Sequence, residues 1–212
     1  MHMENKKRIG VLVSGGGTNL QALIDAQARG ELKSGEISVV VASKPGVFAL
    51  ERAAKAGIPG VVVERKSFSD KATFEAALLE ELTNRQIDIL ILAGFMLVLS
   101  DDFVKRFPDR IINVHPALIP SFCGDGFYGL HVHERALEYG VKVTGATVHF
   151  VNEVTDGGAI ILQKAVEIPE GISAEDLQQK VMKEAEHILL PKAAELLCAG
   201  RVKRDGRRVI IL

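Results

Sequence analysis

Five short, almost wholly apolar runs restrict this chain more than any other feature: residues 8–13 (Arg-Ile-Gly-Val-Leu-Val), 37–42, 60–63, 87–92 and 110–114. A strand that is apolar on both faces must be covered on both, as in a parallel sheet between two layers of helices. The intervening residues supply those helices. Residues 19–28 turn Leu20, Leu23 and Ile24 inward, residues 47–56 follow as a second helix, and residues 69–83 set Phe74, Leu78 and Leu82 on one face. The alternation predicts an α/β fold with a Rossmann-like, mostly parallel sheet and helices on both faces. In such sheets ligands gather at the carboxyl ends of strands. Residues 15–19, 94–96 and 113–116 stand at such ends, so three distant segments should converge on one crevice.

After Pro120 the pattern changes. Residues 122–129 (Phe-Cys-Gly-Asp-Gly-Phe-Tyr-Gly) read as a loop, and a short helix is expected from about His133 to Glu138. Two longer strand patterns, 142–151 and 159–168, share so short a joint that they should pair antiparallel. Ser173 opens a long C-terminal helix to about Cys198, with Glu175 and Asp176 in its first turn, where the helix dipole favours acids. An Asp205-Gly206 turn predicts a hairpin over 202–209. With 212 residues and 47% hydrophobic content the chain can bury one substantial core. A single domain, 1–212, with halves 1–120 and 121–212 is expected.

A formal net charge of −1 gives no general attraction to nucleic acid or anionic lipid, so an anionic ligand has to be caught locally. No apolar run approaches the roughly 18 residues of a membrane helix, and residues 1–7 lack the apolar core of a secretion signal. The reading is a cytoplasmic protein. Cys123 and Cys198, far apart and in no metal spacing, read as reduced thiols.

Three groups carry chemistry. Ser-Gly-Gly-Gly-Thr-Asn (14–19) lets the backbone approach a ligand, and the helix after it presents unpaired amides to an anion such as phosphate. It is no dinucleotide fingerprint, because Leu20 replaces the third small residue and Ser43 and Lys44 stand where an acid is needed. Nor is it a nucleoside triphosphate loop, since no lysine follows the glycines. A plain strand-to-helix connection also fits. Asn113 and His115, two apart on one strand, project together and could hold and neutralise an oxyanion; Pro116 fixes where the chain leaves. Asp156, beside Gly157 and Gly158, either reaches back to His115, raising the imidazole pKa, or bonds its own turn. Thr147 and His149 share a face, so His149 fits a supporting role or a plain sheet histidine. His131 and His133 have no acid or cysteine in ligand spacing, so no metal is expected. Glu186 and His187 read as solvated or capping, His2 as part of a tail, and the basic residues 201–208 as an exposed hairpin.

Taken together, Ser-Gly-Gly-Gly-Thr-Asn-Leu-Gln (14–21), Leu-Ala-Gly-Phe-Met (92–96), Asn-Val-His-Pro-Ala-Leu-Ile-Pro (113–120), Thr-Val-His-Phe (147–150), Asp-Gly-Gly (156–158) and Glu-His (186–187) closely resemble, in order and over nearly the whole chain, the phosphoribosylglycinamide formyltransferase family of purine biosynthesis. The resemblance implies formyl transfer from 10-formyltetrahydrofolate as cosubstrate to the amine of glycinamide ribonucleotide, without metal, nucleic acid or membrane, by a monomer or homodimer. By position it implies that Asn113, His115 and Asp156 are catalytic, and that Gly17, Thr18 and Asn19 hold the substrate phosphate. Lys183 and Glu186 would lie near the ribose and glycinamide, with Pro116 in the same substrate site. Met96, Leu97, Val98 and Leu99, with Asn152, Glu153, Val154, Thr155 and Asp156, would form the pterin pocket, with Lys71 toward the folate tail. Residues 1–120 would then be the phosphate-binding half and 121–212 the folate-site half.

Two features depart from that pattern: Leu97 and Lys71 stand where many relatives carry arginine, and residues 123–128 look inserted. Alternatives are a methionyl-tRNA formyltransferase, which usually adds a C-terminal domain and basic surface, a formyltetrahydrofolate hydrolase, which usually adds an N-terminal regulatory domain, or a nonenzymatic phosphoribosyl-binding module.

Overall fold

The structure, a computed structural model, describes residues 6–212. The expectations for His2 and for a leader over residues 1–5 fall outside the described residues. Among the described residues nine strands form: β1 Lys7–Val13, β2 Gly35–Ala42, β3 Gly60–Val62, β4 Ile89–Leu92, β5 Ile111–His115, β6 Val143–Phe150, β7 Ile160–Glu167, β8 Val202–Asp205 and β9 Arg208–Ile211. The helices are α1 Thr18–Ala28, α2 Phe48–Lys55, α3 Lys71–Asn84, α4 Asp101–Val104, α5 Leu130–Tyr139, α6 Ala174–Val181 and α7 His187–Cys198. No helix among the described residues is long and apolar enough to cross a membrane.

Seven strands make one sheet in the order β3-β2-β1-β4-β5-β6-β7. β1 to β5 are parallel, while β6 runs antiparallel to β5 and β7 antiparallel to β6. The order reverses between β1 and β4, leaving a crevice beyond their carboxyl ends. One face packs Leu20, Leu23, Leu189 and Leu190 from α1 and α7, and the other packs Phe74, Leu78 and Leu82 from α3 with Phe103 from α4. Both faces of the parallel strands are therefore dry, as their composition requires.

Local chemistry sets the element starts. Asp70 caps α3 by accepting from the Thr73 amide at 2.8 Å, and Ser173 caps α6 through the Asp176 amide at 3.1 Å. The long C-terminal helix forms over 174–198 with a local change of hydrogen-bond pattern, two short elements escape the sequence, and one turn needs correction. The long C-terminal helix is interrupted by a π segment, Met182–Glu186, whose wider turn lets the His187 amide bond the Met182 carbonyl; Pro191, which cannot donate inside α7, lies one turn on. Helix α4 and a 3-10 turn at Arg65–Ser67 were too short to show periodicity. In the C-terminal hairpin the two central residues are Gly206 and Arg207, of which only Gly206 has positive φ (59°), so glycine leads the turn.

Candidate active site

Asn113 and His115 end β5, paired across the sheet with His149 and Thr147 of β6. Two antiparallel strands thus deliver their polar residues to one place. Asp156 arrives from the β6–β7 joint in the left-handed region (φ 53°), which aspartate tolerates better than most residues. The glycines after it are there for space. A Cβ at Gly158 would lie 1.6 Å from the Phe150 carbonyl oxygen, and one at Gly157 would lie 2.6 Å from Val154 Cβ. The joint therefore folds tightly back, carrying Asp156 Oδ2 to 3.4 Å from His115 Nδ1 and Oδ1 to 3.6 Å from His149 Nε2.

Each ring is held by its second nitrogen. His115 Nε2 donates to the Phe122 carbonyl at 2.8 Å, and His149 Nδ1 donates to the Phe150 carbonyl at 2.8 Å. With Nδ1 carrying that proton, His149 Nε2 accepts from Asn113 Nδ2 at 3.2 Å. The Gly124 amide donates to Asp156 Oδ2 at 2.9 Å. The segment after residue 120, read from the sequence as a loop rich in glycine and aromatics, inserted over 123–128 and guessed to be a flap beside the substrate, is thus bonded to both members of the His115–Asp156 pair. Thr155 Oγ1 adds a bond to Asp125 at 2.8 Å. No periodicity marks backbone groups as partners, so these contacts were out of reach of the sequence.

Electrostatics corrects one expectation. The His115 pKa was expected to rise beside Asp156; burial of the ring pushes it below the ordinary histidine value, outweighing the opposing pull of Asp156 and of the Phe122 carbonyl. With only 4% of its surface exposed, His115 rests neutral near pH 7. Burial acts on Asp156 in the other sense, but the His149 and His115 rings and the Gly124 amide outweigh it and hold the carboxylate below its usual range.

The glycine loop closes the far side of the crevice. Ser14 at its entry bonds Ser43 Oγ at 2.8 Å and accepts from the Met96 amide at 3.0 Å, tying the ends of β1, β2 and β4 together. Gly17 precedes α1 at φ 72° with no side-chain cap, leaving the first amides of the helix free for an anion. Asn19 Nδ2 donates to Glu186 Oε2 at 2.7 Å. Glu186 was expected to be solvated or capping; it is 7% exposed, and burial raises its pKa. Lys183 lies one turn before it on the same π segment, exposed.

The remaining candidates divide. Lys71, Val98, Leu99 and Glu153 line one cavity of about 540 Å³ with Ser100, Asp101, Asp102 and Lys105. Met96 and Val154 stand exposed, and Leu97 packs partly buried on the α3 side of the sheet. Lys71 Nζ lies 3.9 Å from the buried carboxylate of Glu75, which also accepts from the Ser100 amide at 2.7 Å. Pro116 is half-buried directly after His115, and Asn152 turns its Oδ1 to the Val154 amide at 3.2 Å. His133, set aside with His131 in the sequence, is fully buried in α5, and burial lowers its pKa to about 4.

A carboxamide and an imidazole at the end of β5 and a carboxylate from the β6–β7 joint thus meet in one place. The chain matches the formyl transferase family over residues 7–194 and belongs to it. It is 38% identical over 206 residues to the phosphoribosylglycinamide formyltransferase of Escherichia coli, covering 94% of each chain. It is 44% identical over 207 residues to the trifunctional purine biosynthetic protein adenosine-3 of Drosophila pseudoobscura pseudoobscura; the match takes in 96% of this chain but spans only 15% of that relative's length. Its fold superposes on the crystal structure of glycinamide ribonucleotide transformylase 1 from Symbiobacterium toebii with a TM-score of 0.92 at 42% identity, covering 98% of this chain and 94% of the other.

Proposed function

We propose that this chain transfers the formyl group of 10-formyltetrahydrofolate to the primary amine of glycinamide ribonucleotide, in the cytoplasm. The observation that carries the reading is the meeting of Asn113, His115 and Asp156 across β5 and the β6–β7 joint. The names of its bacterial relatives point to the same acceptor.

In this reading His115 Nε2 stays on the Phe122 carbonyl, so Nδ1 is the nitrogen that gains and loses a proton. The amine nitrogen attacks the formyl carbon, and the carbonyl electron pair moves onto oxygen. The Asn113 amide donates to that oxygen, while the amine proton passes to His115 Nδ1. Asp156, 3.4 Å away, stabilises the imidazolium so formed. The bond from carbon to the folate nitrogen then breaks and that nitrogen takes the proton, releasing formylglycinamide ribonucleotide and tetrahydrofolate. His115 returns to the neutral state in which burial keeps it at rest.

Gly17, Thr18 and Asn19 hold the phosphate, with Pro116, Lys183 and Glu186 facing the ribose and glycinamide. The donor lies along Met96, Leu97, Val98 and Leu99 and residues 152–156, with its tail toward Lys71. The test is formyl transfer by the purified chain to glycinamide ribonucleotide, water and charged initiator tRNA in parallel. Transfer to the ribonucleotide should exceed the others by orders of magnitude; faster hydrolysis, faster transfer to tRNA, or no product at all overturns the reading.

A further inference from the structure

The glycine loop carries no lysine, yet a phosphate dianion brings two charges to it, and helix amides supply only about half a positive charge. The balance is held on the neighbouring helix. α2 begins so close to the loop that a Cβ on Gly17 would lie 2.7 Å from Ala49 Cβ, and the Ala49 amide donates to the Gly15 carbonyl at 3.3 Å. One turn later, Arg52 sits over the loop. Its Nε donates to the Gly16 carbonyl at 2.8 Å and its Nη1 to Gln21 Oε1 at 3.0 Å, and its guanidinium carbon lies 4.8 Å from the Phe48 ring centroid.

Three contacts thus fix the guanidinium, and none of them neutralises it. No carboxylate among the described residues lies within 4 Å of Arg52. The nearest acid of the network, Asp25, is occupied by Gln21 Nε2 at 2.8 Å. Arg52 Nη2 makes no hydrogen bond among the described residues. Lys183 is likewise unpaired among them; burial lowers the pKa of the nearby His187, and Arg52 and Lys183 add to that against the opposing pull of Asp25. Beside it, Asn19, itself 9% exposed, keeps its Oδ1 buried and unpartnered.

We infer that Arg52 is the specificity-determining residue of the phosphate end: held by Gly16, Gln21 and Phe48, it keeps the glycine loop in place and offers its free guanidinium edge to the phosphate, selecting a phosphorylated acceptor over its unphosphorylated riboside. The inference rests on the acceptor proposed above.

Arg52→Ala and Arg52→Lys are assayed with the ribonucleotide, with glycinamide riboside and with varied formyl donor, and inorganic phosphate is titrated as a competitor of the acceptor. Arg52→Ala should raise KM for the ribonucleotide and the inhibition constant of phosphate by ~10- to 100-fold, the effect of one charge-assisted contact. kcat, donor KM and kcat/KM for the riboside should stay within about twofold, so the preference for the phosphorylated acceptor collapses. Arg52→Lys keeps the charge without the fork and should fall between. Equal losses with ribonucleotide and riboside, or an unchanged phosphate inhibition constant in a variant that melts normally, overturn the inference. Absence of transfer by the unsubstituted chain would instead strike the proposed function, which separates the two failures.

Discussion

The glycine loop and the Asn113–His115–Asp156 group both cap buried strands, and they are built in opposite ways. The loop offers backbone amides, and its shape is set by steric contact: Gly17 exists because Ala49 leaves no room for a side chain. The group on β5 offers side chains, each oriented by a different partner: His149 for Asn113, the Phe122 carbonyl for His115, the Gly124 amide for Asp156. Backbone donors survive most substitutions but fail when the chain path is pushed. Side-chain donors fail one at a time and leave the fold standing.

That contrast can be broken most directly at His115. His115→Ala removes the proposed proton acceptor and should lower kcat by ~10²- to 10⁴-fold with little change in acceptor KM; a well-folded His115→Ala of normal turnover ends that proposed role. Asn113→Ala, deleting the proposed oxyanion donor, should cost about 2.7 to 4 kcal/mol of barrier, read as kcat under saturating substrates. The loop should behave differently. Gly17→Ala must adopt φ 72° and press on Ala49, so a loss of about 1 to 3 kcal/mol in stability is expected, together with a raised acceptor KM at nearly unchanged kcat; denaturant unfolding and steady-state kinetics measure both, and loss of kcat alone would erase the distinction.

Protons sharpen the comparison further. His115 and His133 are held neutral by burial, so below the unfolded value of 6.5 the unfolded chain binds protons that the folded chain refuses. Their contribution is fully present above pH 6.5 and is lost as pH falls toward the folded values, about 4 for His133. His133 accounts for on the order of 3 kcal/mol at most, and His133→Leu should flatten the fall in unfolding free energy between pH 6.5 and 4. An equally steep fall in the variant refutes the assignment. The smallest expected effect is on the kinetic profile. Asp156 pulls the His115 pKa up against burial, so Asp156→Asn should move the acidic limb of kcat/KM to lower pH by up to about one unit; an unmoved limb counts against the pairing.

How much of this was legible in sequence follows from the range of the forces involved. The five parallel strands, the antiparallel pair and the capped helices rest on periodicity and on neighbours a few residues apart, and all were readable. The π segment was not, because it differs from an α-helix only in which carbonyl each amide reaches. The residues of the site were readable as types at strand ends, and their convergence followed from topology. Their partners were not. Nothing in residues 122–124 says that a carbonyl and an amide there bond His115 and Asp156, and nothing in residues 48–52 says that an arginine crosses to the Gly16 carbonyl.

What the order of residues determined by itself was the layered sheet, the places where polar groups interrupt it, and the kind of chemistry those groups support, because apolar alternation and residue identity are properties of the chain. What only the tertiary structure decided was protonation and orientation. Whether His115 rests neutral, which of its nitrogens is free, and whether Glu186 meets solvent or Asn19 all depend on burial and on contacts between residues as far apart as 19 and 186. Desolvation outweighs the attraction of a neighbouring carboxylate only once the fold has closed around both.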